Sequence, residues 1–240
     1  MMFSLVVPAY REGKSIRCNL LKMAAVLRDA GIDHEIVAVN DGSPDDTYQE
    51  MVRASEEDGS IRPVTYDVNR GKGGAIKEGI MKSRGDIIGF IDADLDIDPD
   101  HLPVYLEKMV SSGSDVVIGS KMHPQSQLDY PPMRKFVSWG YYVILKVLFG
   151  MKTKDTQTGI KLYRGSLIKE IVPKLKVNGY AFDIEILALA NSMGAIITEM
   201  PVRVGYTREE SFGRIKFKDI WKMFTDTIGI WWDLRIRKKY

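Results

Sequence analysis

A cluster of carboxylates after a short apolar segment is the strongest chemical signal in this 240-residue sequence. The segment from Ile87 to Ile91 contains no charged residue, which predicts a buried strand of a parallel sheet. Ligands of open α/β sheets bind beyond the carboxyl ends of the strands, where five aspartates follow within nine residues: Asp92, Asp94, Asp96, Asp98 and Asp100. Because carboxylates at positions i and i+2 can converge on one ion, we predict that Asp92 and Asp94 bind a hard divalent cation that is shared with substrate phosphates.

The alternative for these aspartates is a solvated acidic loop that caps the next helix. Asp98 would then be the N-cap residue, followed by Pro99 at the first helical position. We assign Asp98 and Asp100 to this structural role. For Asp92 and Asp94 we favour metal binding, because like charges crowded at a strand end are costly without a counter-ion.

Alternating strand and helix patterns must position the acidic cluster. Short apolar runs alternate with segments of helical period, which predicts helices at 14–29, 47–58 and 75–83 and strands at 3–8, 35–39, 62–67, 87–91 and 115–119. Three strand–helix steps before the acidic strand predict an α/β fold, with a right-handed, doubly wound, mostly parallel sheet flanked by helices.

Two loops of the predicted sheet carry residues that suit a nucleotide. Asp41 directly follows the second strand, where its carboxylate either accepts hydrogen bonds from a nucleobase or ribose hydroxyl or is an ordinary turn residue. The 71–74 loop, Gly-Lys-Gly-Gly, can present backbone N–H groups to a diphosphate together with Arg70 and Lys72, although glycines also simply make turns. Neither G-x-G-x-x-G after the first strand nor G-x-x-x-x-G-K-[ST] occurs, which argues against a dinucleotide-binding dehydrogenase and a P-loop enzyme.

The second half of the chain contains two strongly apolar segments. Residues 136–151 predict either a core helix or a helix in a membrane interface, and we favour the interface. A further strand is predicted at 199–206. From Ile215 onward, aromatic and aliphatic residues recur at near-helical spacing, and the segment ends in Arg235, Arg237, Lys238 and Lys239. This pattern is typical of an amphipathic helix on a bilayer, while a helix docked on the core or a dimer contact stays open.

Composition narrows the class of protein. The net charge is +2, but residues 202–240 carry ten Lys or Arg and five Asp or Glu, so residues 1–201 are net −3. A basic tail on a slightly acidic body predicts an anionic surface as partner, and we expect no nucleic acid. The single cysteine, Cys18, excludes an internal disulfide and fits a reducing compartment. We expect no zinc site, no signal peptide and no membrane-spanning segment, and hence a soluble or peripheral protein.

Four motifs, in their order and spacing, resemble the family 2 glycosyltransferases with the GT-A fold: Val7-Pro8-Ala9-Tyr10, Asn40-Asp41-Gly42-Ser43, Asn69-Arg70-Gly71-Lys72-Gly73 and Asp92-Ala93-Asp94. The resemblance covers nearly the whole chain. Within the family, the chain is similar to the polyprenyl-phosphate hexose synthases, which make dolichyl-phosphate mannose and dolichyl-phosphate glucose. The 155–161 and 182–185 segments, Asp-Thr-Gln-Thr-Gly-Ile-Lys and Phe-Asp-Ile-Glu, resemble the glucosyl branch.

The resemblance implies roles for individual residues. The nucleoside of a nucleotide sugar would be held by Pro8, Tyr10, Glu12 and Asp41, with Lys72 close to it. Mg²⁺ or Mn²⁺ would lie on Asp92 and Asp94, against the donor diphosphate. The acceptor phosphate would be held by Lys121, Arg134, Ser138 and Arg208. It also implies a nucleotide-sugar-binding half at 1–122, an acceptor-side half at 123–205 and an amphipathic tail at 206–240.

Three residues depart from the family pattern. Arg11 stands where an Asn is common, and Asp96 stands where the mannosyl branch tends to have a metal-contacting Gln. Lys121 stands where an Arg is common in the family. A compact ammonium group therefore replaces a planar guanidinium that could bind a phosphate through two parallel hydrogen bonds.

The chemistry of sugar transfer also bears on the acceptor. A divalent ion on Asp92 and Asp94 would stabilise the charge of a departing diphosphate. A hydroxyl acceptor needs a general base, for which Asp183 is the best candidate. A lipid monophosphate, with a second pKa of about 6, arrives as an anion, and Asp183 would then bind the sugar or cap its helix. The cationic set of Lys121, Arg134 and Arg208 favours the phosphate acceptor.

We therefore predict an inverting, metal-dependent hexosyltransferase, with Asp94 and Asp183 as its catalytic residues. It would move glucose or mannose from UDP-glucose or GDP-mannose to dolichyl or polyprenyl phosphate, as a cytoplasmic protein peripheral on the cytosolic face of a membrane. A membrane-embedded partner subunit is compatible with this prediction. The alternatives are transfer to a glycan hydroxyl with Asp183 as base, and a non-catalytic nucleotide-sugar-binding membrane adaptor.

Overall fold

The computed structural model describes residues 1–128, 132–179, 181–205 and 217–240, and for residues 128, 132–139 and 217–220 it describes the backbone alone. The strands are β1 (Phe3–Ala9), β2 (His34–Asp41), β3 (Ile61–Tyr66), β4 (Ile87–Ile91), β5 (Val116–Ser120), β6 (Gln127–Leu128), β7 (Ile160–Arg164), β8 (Ile197–Pro201) and β9 (Arg203–Val204). The helices are α1 (Ile16–Asp29), α2 (Thr47–Glu57), α3 (Lys72–Lys82), α4 (His101–Ser112), α5 (Pro132–Phe149), α6 (Gly165–Ile171), α7 (Phe182–Ser192) and α8 (Phe217–Arg235), with a 3₁₀ turn at Val172–Lys174.

Seven strands form the central sheet in the order β3-β2-β1-β4-β7-β5-β8. Every neighbouring pair is parallel except those of β7, which runs antiparallel to both β4 and β5. The predicted mostly parallel, helix-flanked α/β sheet is thus confirmed. The antiparallel strand between β4 and β5 was not predicted. A second, two-stranded sheet pairs β6 with β9, and Ile97 of the acidic loop bridges to Val204 beside it.

Both faces of the central sheet are covered by helices. Along β1, Phe3, Leu5 and Val7 pack into one apolar layer with α1, α2 and α4, while Val6 packs into the other layer with α3, α6 and α7. Successive side chains of a strand point to opposite faces, so a sheet buried on both sides needs uninterrupted apolar strands. Each such side chain contributes about 1.5–3 kcal/mol on burial, which explains why the sequence reads as short apolar runs.

The start of α4 corrects one prediction. The helix begins at His101 with Asp100 at the N-cap position, rather than at Pro99 with Asp98 as the cap. The Asp98 carboxylate instead accepts the backbone N–H of Asp100 at 3.2 Å, and its carbonyl accepts that of His101. Asp98 therefore closes a turn before the helix, so its structural role stands but its position in the cap was wrong.

Helix α8 is docked on the body of the protein along one side only. Thr227 and Ile230 are buried, and the Tyr141 and Thr227 hydroxyls of α5 and α8 lie 2.8 Å apart. The opposite side exposes a stripe of large apolar residues: Trp221, Phe224, Ile228 and Trp232. Within the described part of the chain, no helix combines the length and apolarity that crossing a bilayer requires.

Candidate active site

The residues that the sequence singled out follow neighbouring strands at one edge of the sheet. Tyr10 follows β1, Asp41 ends β2, Asp92 follows β4 and Lys121 follows β5. Because these four strands run in the same direction, their carboxyl ends meet at one edge. This is the edge at which open α/β sheets bind ligands.

Lys72 and Asp92 form an ion pair at the centre of this edge. The Nζ atom of Lys72 lies 2.5 Å from Oδ1 of Asp92, and both side chains are 33% exposed. Burial lowers the pKa of Lys72, but the carboxylates of Asp92, Asp183 and Asp94 outweigh it and the net shift is upward. The glycine-rich loop therefore brings a firmly protonated ammonium group to the acidic cluster.

Asp94 lies in a crowded acidic environment. Burial, Asp92 and Asp96 together raise its pKa to about 6. Leu95, between Asp94 and Asp96, has a φ of 59°. This left-handed backbone conformation costs a residue with a side chain an energy of order 1–3 kcal/mol. Backbone strain and repulsion between carboxylates thus coincide in this loop, and a cation would relieve the repulsion.

The donor set of this loop suits an ion shared with a substrate. No three His, Cys, Asp or Glu side chains converge into a metal cage in the described ranges. Mg²⁺ is commonly held by one or two carboxylates plus substrate phosphates, and Mn²⁺ favours the same oxygen ligands. Asp92 and Asp94 fit that pattern, with the remaining ligands left to a diphosphate and water.

Asp41 is buried and holds the loop that follows β3. Its Oδ1 accepts hydrogen bonds from the Tyr66 hydroxyl at 2.6 Å and the Arg70 backbone N–H at 2.7 Å. Its Oδ2 accepts one from the Asn69 amide at 3.0 Å. The carboxylate thus orders the 69–71 loop at the end of β2.

The segment after β1 forms the neighbouring wall. Tyr10 is 41% exposed, and the Arg11 guanidinium lies 5.2 Å from its ring centre, with Arg11 in the left-handed region at a φ of 59°. The backbone N–H of Glu12 donates to the Thr47 hydroxyl at 2.9 Å. Pro8, at the end of β1, is half-buried.

The 155–159 segment, to which the sequence assigned no site role, connects both sides of the site. Asp155 accepts the backbone N–H of Lys121 at 2.8 Å and the hydroxyl of Thr158 at 2.5 Å. The carbonyl of Gly159 accepts the backbone N–H of Asp92 at 3.2 Å. The sequence signal was the run of Asp, Thr and Gly before an apolar strand, which is typical of a turn that approaches another backbone closely.

Asp183, the candidate base, lies in the first turn of α7 and is only 4% exposed. Its Oδ1 lies 3.0 Å from Nζ of Lys161, a fully buried lysine of β7 that sequence reasoning did not single out. Burial raises the pKa of Asp183, and the ammonium groups of Lys161 and Lys72 oppose that shift.

The acceptor-side residues are described only in part. Lys121 is half-buried directly after β5. Arg134 and Ser138 lie in α5, in the stretch for which only the backbone is described, and Arg208 lies outside the described residues.

Comparison with known proteins assigns this arrangement to a family. Residues 4–172 match the model of glycosyl transferase family 2. A dolichyl-phosphate beta-glucosyltransferase of Trichomonas vaginalis is 35% identical over 239 residues, which cover 95% of this chain and 72% of that protein. The dolichyl-phosphate beta-glucosyltransferase of Homo sapiens is 30% identical, over 95% of this chain and 74% of that protein.

Solved structures agree on the fold. Glucosyl-3-phosphoglycerate synthase from Mycobacterium tuberculosis, in complex with Mn²⁺, UDP-glucose and phosphoglyceric acid, superimposes with a TM-score of 0.71 at 19% identity, covering 97% of this chain and 79% of that one. The same enzyme was solved with Mg²⁺ and UDP. The match to the family model, the two relatives and the superposition lead to one conclusion: the chain is a glycosyltransferase with the GT-A fold and belongs to glycosyl transferase family 2.

Proposed function

We propose that this enzyme transfers glucose from UDP-glucose to dolichyl or another polyprenyl phosphate, with inversion at the sugar carbon. The names of the relatives support glucose, a dolichyl-phosphate acceptor and a β-linked product. An α-linked nucleotide sugar gives a β product when the acceptor attacks from the face opposite the diphosphate. The observation that carries the proposal is the shared sheet edge: Lys72 pairs with Asp92, and the 155–159 segment is hydrogen-bonded to the backbones of both Asp92 and Lys121.

The nucleoside is proposed to bind between the end of β1 and the Asp41 loop, on Pro8, Tyr10, Glu12 and Asp41. The exposed ring of Tyr10 offers a flat apolar surface to a base. The hydrogen bonds that fix Asp41 and the 69–71 loop support this proposal, because a pre-ordered loop loses little conformational entropy when a ligand binds.

Asp92 and Asp94 are proposed to hold Mg²⁺ or Mn²⁺. The crystallised neighbours with either ion and UDP support divalent metal use. When bound, such an ion supplies positive charge to the departing diphosphate. Lys72, paired with Asp92, would fix that carboxylate and add a second positive charge beside it.

The acceptor phosphate is proposed to lie at Lys121, with Arg134, Ser138 and Arg208 completing its site. A phosphate monoester has a second pKa of about 6, so it needs no base at neutral pH. Asp183 is then free to accept a hydrogen bond from a hydroxyl of the donor sugar. In this proposal, residues 1–122 bind the donor, residues 123–205 supply the acceptor side, and residues 206–240 form the amphipathic tail.

We further propose that the enzyme works as a peripheral protein on the cytosolic face of a membrane. The exposed stripe of α8, with Trp221, Phe224, Ile228 and Trp232, supports this location, as does the basic end of the chain. A lipid acceptor would then lie in the bilayer against which the enzyme rests.

Turnover with a panel of donors tests the proposal. Radiolabelled UDP-glucose and GDP-mannose are each incubated with dolichyl phosphate in detergent, with Mn²⁺, with Mg²⁺ or with chelator. We expect organic-extractable label from UDP-glucose, dependent on metal, and a β-linked product by NMR. Label from GDP-mannose alone would overturn the choice of donor, and no lipid product from either donor would overturn the proposed function.

A further inference from the structure

Lys161 is a fully buried lysine near the start of β7, an inner strand of the central sheet. It lies in β7, opposite Phe90 of β4 and Ile118 of β5, and its side chain is 0% exposed. Its neighbours along the strand, Ile160 and Leu162, are buried apolar residues. Lysine is almost never fully buried without a partner, so the position needs an explanation that an apolar strand does not supply.

Three groups hold the Lys161 ammonium. It donates to the Thr158 carbonyl at 2.6 Å, lies 3.0 Å from Oδ1 of Asp183, and is 5.2 Å from the centre of the Phe90 ring. Thr158 belongs to the segment that contacts the backbones of Lys121 and Asp92. The ammonium is therefore fixed by the same turn that joins the two sides of the site.

We propose that Lys161 is a positioning residue for glycosyl transfer: its ammonium orients the Asp183 carboxylate and keeps it an anion, so that Asp183 accepts a hydrogen bond from the donor sugar. This inference rests on the proposed function. Oδ1 of Asp183 is buried and, among the described residues, has no hydrogen-bond partner apart from its ion pair with the Lys161 ammonium, so the carboxylate keeps acceptor capacity for a ligand.

A purely structural role accounts poorly for this pair. Taking two charges out of water costs several kcal/mol each, and buried ion pairs replaced by apolar residues of similar volume often leave proteins equally or more stable. A sheet that needed only packing would have an apolar residue at position 161. If the function requires a fixed carboxylate, a buried Lys–Asp pair is expected close to Asp92, and Lys161 and Asp183 lie there.

Titratable groups from several elements surround Asp183. Lys161 and Tyr163 face it from β7, Lys72 from the start of α3, and Asp92 from the loop after β4. Asp155, in turn, acts on Lys161. With the Lys161 ammonium removed, burial and Asp92 act against the Asp183 carboxylate while Lys72 alone supports it, so Asp183 becomes protonated at higher pH than in the wild type.

The test compares Lys161→Met, which preserves volume without charge, with Lys161→Arg, which preserves charge. Lys174→Met is the matched control, because Lys174 is a partly exposed lysine whose side chain is paired with Glu170. Misplacement of a reacting group by about 1 Å costs about 100-fold, so we expect Lys161→Met to lower kcat by that order with a small change in KM for UDP-glucose. Part of the loss should be recovered as the pH rises above neutral, because Asp183 then ionises. Lys161→Arg should recover part of kcat at neutral pH.

A double-mutant cycle with Asp183→Asn separates positioning from folding. In the Asp183→Asn background, Lys161→Met should cause no further loss of kcat, and the double variant should melt close to the wild type, since no unpaired buried charge remains. Further loss in that background would overturn the inference, as would an unchanged kcat in Lys161→Met or a pH profile parallel to that of the wild type. If Lys161→Met alone does not fold, the comparison of Asp183→Asn with the double variant decides.

Failure of the proposed function is measured separately. The wild-type protein is assayed both for glucolipid formation and for the slow release of UDP from UDP-glucose without acceptor. A wild type that forms no glucolipid refutes the proposed function. The role of Lys161 is judged separately, from the rate of each variant relative to that of the wild type. Those ratios can be read from UDP release alone.

Discussion

Gly159 and Asp92 are in direct backbone contact, and a side chain at position 159 would collide with the Asp92 carboxylate. The backbone N–H of Asp92 donates to the Gly159 carbonyl at 3.2 Å. A Cβ atom at position 159 would lie 2.1 Å from Oδ2 of Asp92 and 2.7 Å from its Cγ. The turn that leads into β7 thus limits where the Asp92 carboxylate can lie.

Gly159→Ala is therefore expected to lower turnover while preserving the fold. The new methyl group must push the Asp92 carboxylate aside, and a shift of about 1 Å in a catalytic group costs about 100-fold in rate. The measurement is kcat/KM for UDP-glucose, with melting temperature as the check on folding. Gly59→Ala is the control, because a Cβ atom there meets nothing within 4 Å. Equal activity of the two variants would contradict the contact.

The acidic loop should require both of its first two carboxylates. Removing one preorganised electrostatic group from an active site costs about 100- to 1,000-fold in kcat, and we expect at least that loss from Asp92→Asn and from Asp94→Asn. Chelator should abolish wild-type turnover, and Mn²⁺ should restore it and raise the melting temperature. Neither variant should show that rise in melting temperature. Asp100→Asn, at the N-cap position of α4, is the control and should retain metal-dependent turnover.

The part of the site formed by local sequence could be predicted, and the part formed by long-range packing could not. The apolar run before Asp92 and the mostly parallel, helix-flanked sheet follow from short-range periodicity, and the structure confirms both. The insertion of β7 between β4 and β5 depends on contacts about 70 residues apart along the chain, which periodicity does not encode.

Individual side chains show the same limit. Asp41 was correctly expected at a strand end, but its hydrogen bonds to Tyr66 and Arg70 were not foreseen, because they join residues 25 and 29 positions apart. Lys161 stood out in the sequence only as the last residue of the 155–161 segment, with no role of its own. Its burial against Asp183 is visible only when β7 and α7 pack together.

His101 gives the fold a defined pH dependence. Its Nε2 accepts the backbone N–H of Arg203 at 3.0 Å, which joins the start of α4 to β9. Burial and the charge of Arg203 lower the pKa of His101 below its usual value of 6.5. The folded state therefore binds this proton more weakly than the unfolded chain. His101 therefore stabilises the folded state at pH values above its pKa in the unfolded chain. This stabilisation is lost as the pH falls towards the pKa of His101 in the folded state.

Protonation of His101 breaks this hydrogen bond. We therefore expect the free energy of unfolding to fall by about 1 kcal/mol as the pH drops below about 6.5. Denaturant titrations of the wild type and of His101→Gln, which keeps an acceptor that does not titrate, measure the effect. The other two histidines are present in both proteins, so their contribution cancels in the difference. Identical pH dependence in the two proteins would rule out this role for His101.

The exposed stripe of α8 predicts binding to a lipid surface. Trp221 and Trp232 are 63% and 46% exposed, and they lie on the side of α8 opposite the buried Thr227 and Ile230. Exchanging both tryptophans for Ser removes the largest apolar groups that an interfacial helix could insert. At about 25 cal/mol per Å² of apolar surface, we expect a loss of at least about tenfold in partitioning to vesicles of anionic phospholipid.

A matched pair of exposed apolar residues on another helix separates this effect from general hydrophobicity. Val104 and Val110 of α4 are 52% and 59% exposed, and α4 packs on the opposite face of the sheet from α8. Val104→Ser with Val110→Ser should leave vesicle binding unchanged. Turnover of dolichyl phosphate embedded in vesicles should fall for the α8 variant alone, while turnover of a short, water-soluble polyprenyl phosphate should be equal in all three proteins. A helix that only packs against the body of the protein would give equal vesicle binding in all three, so the comparison distinguishes membrane contact from simple docking.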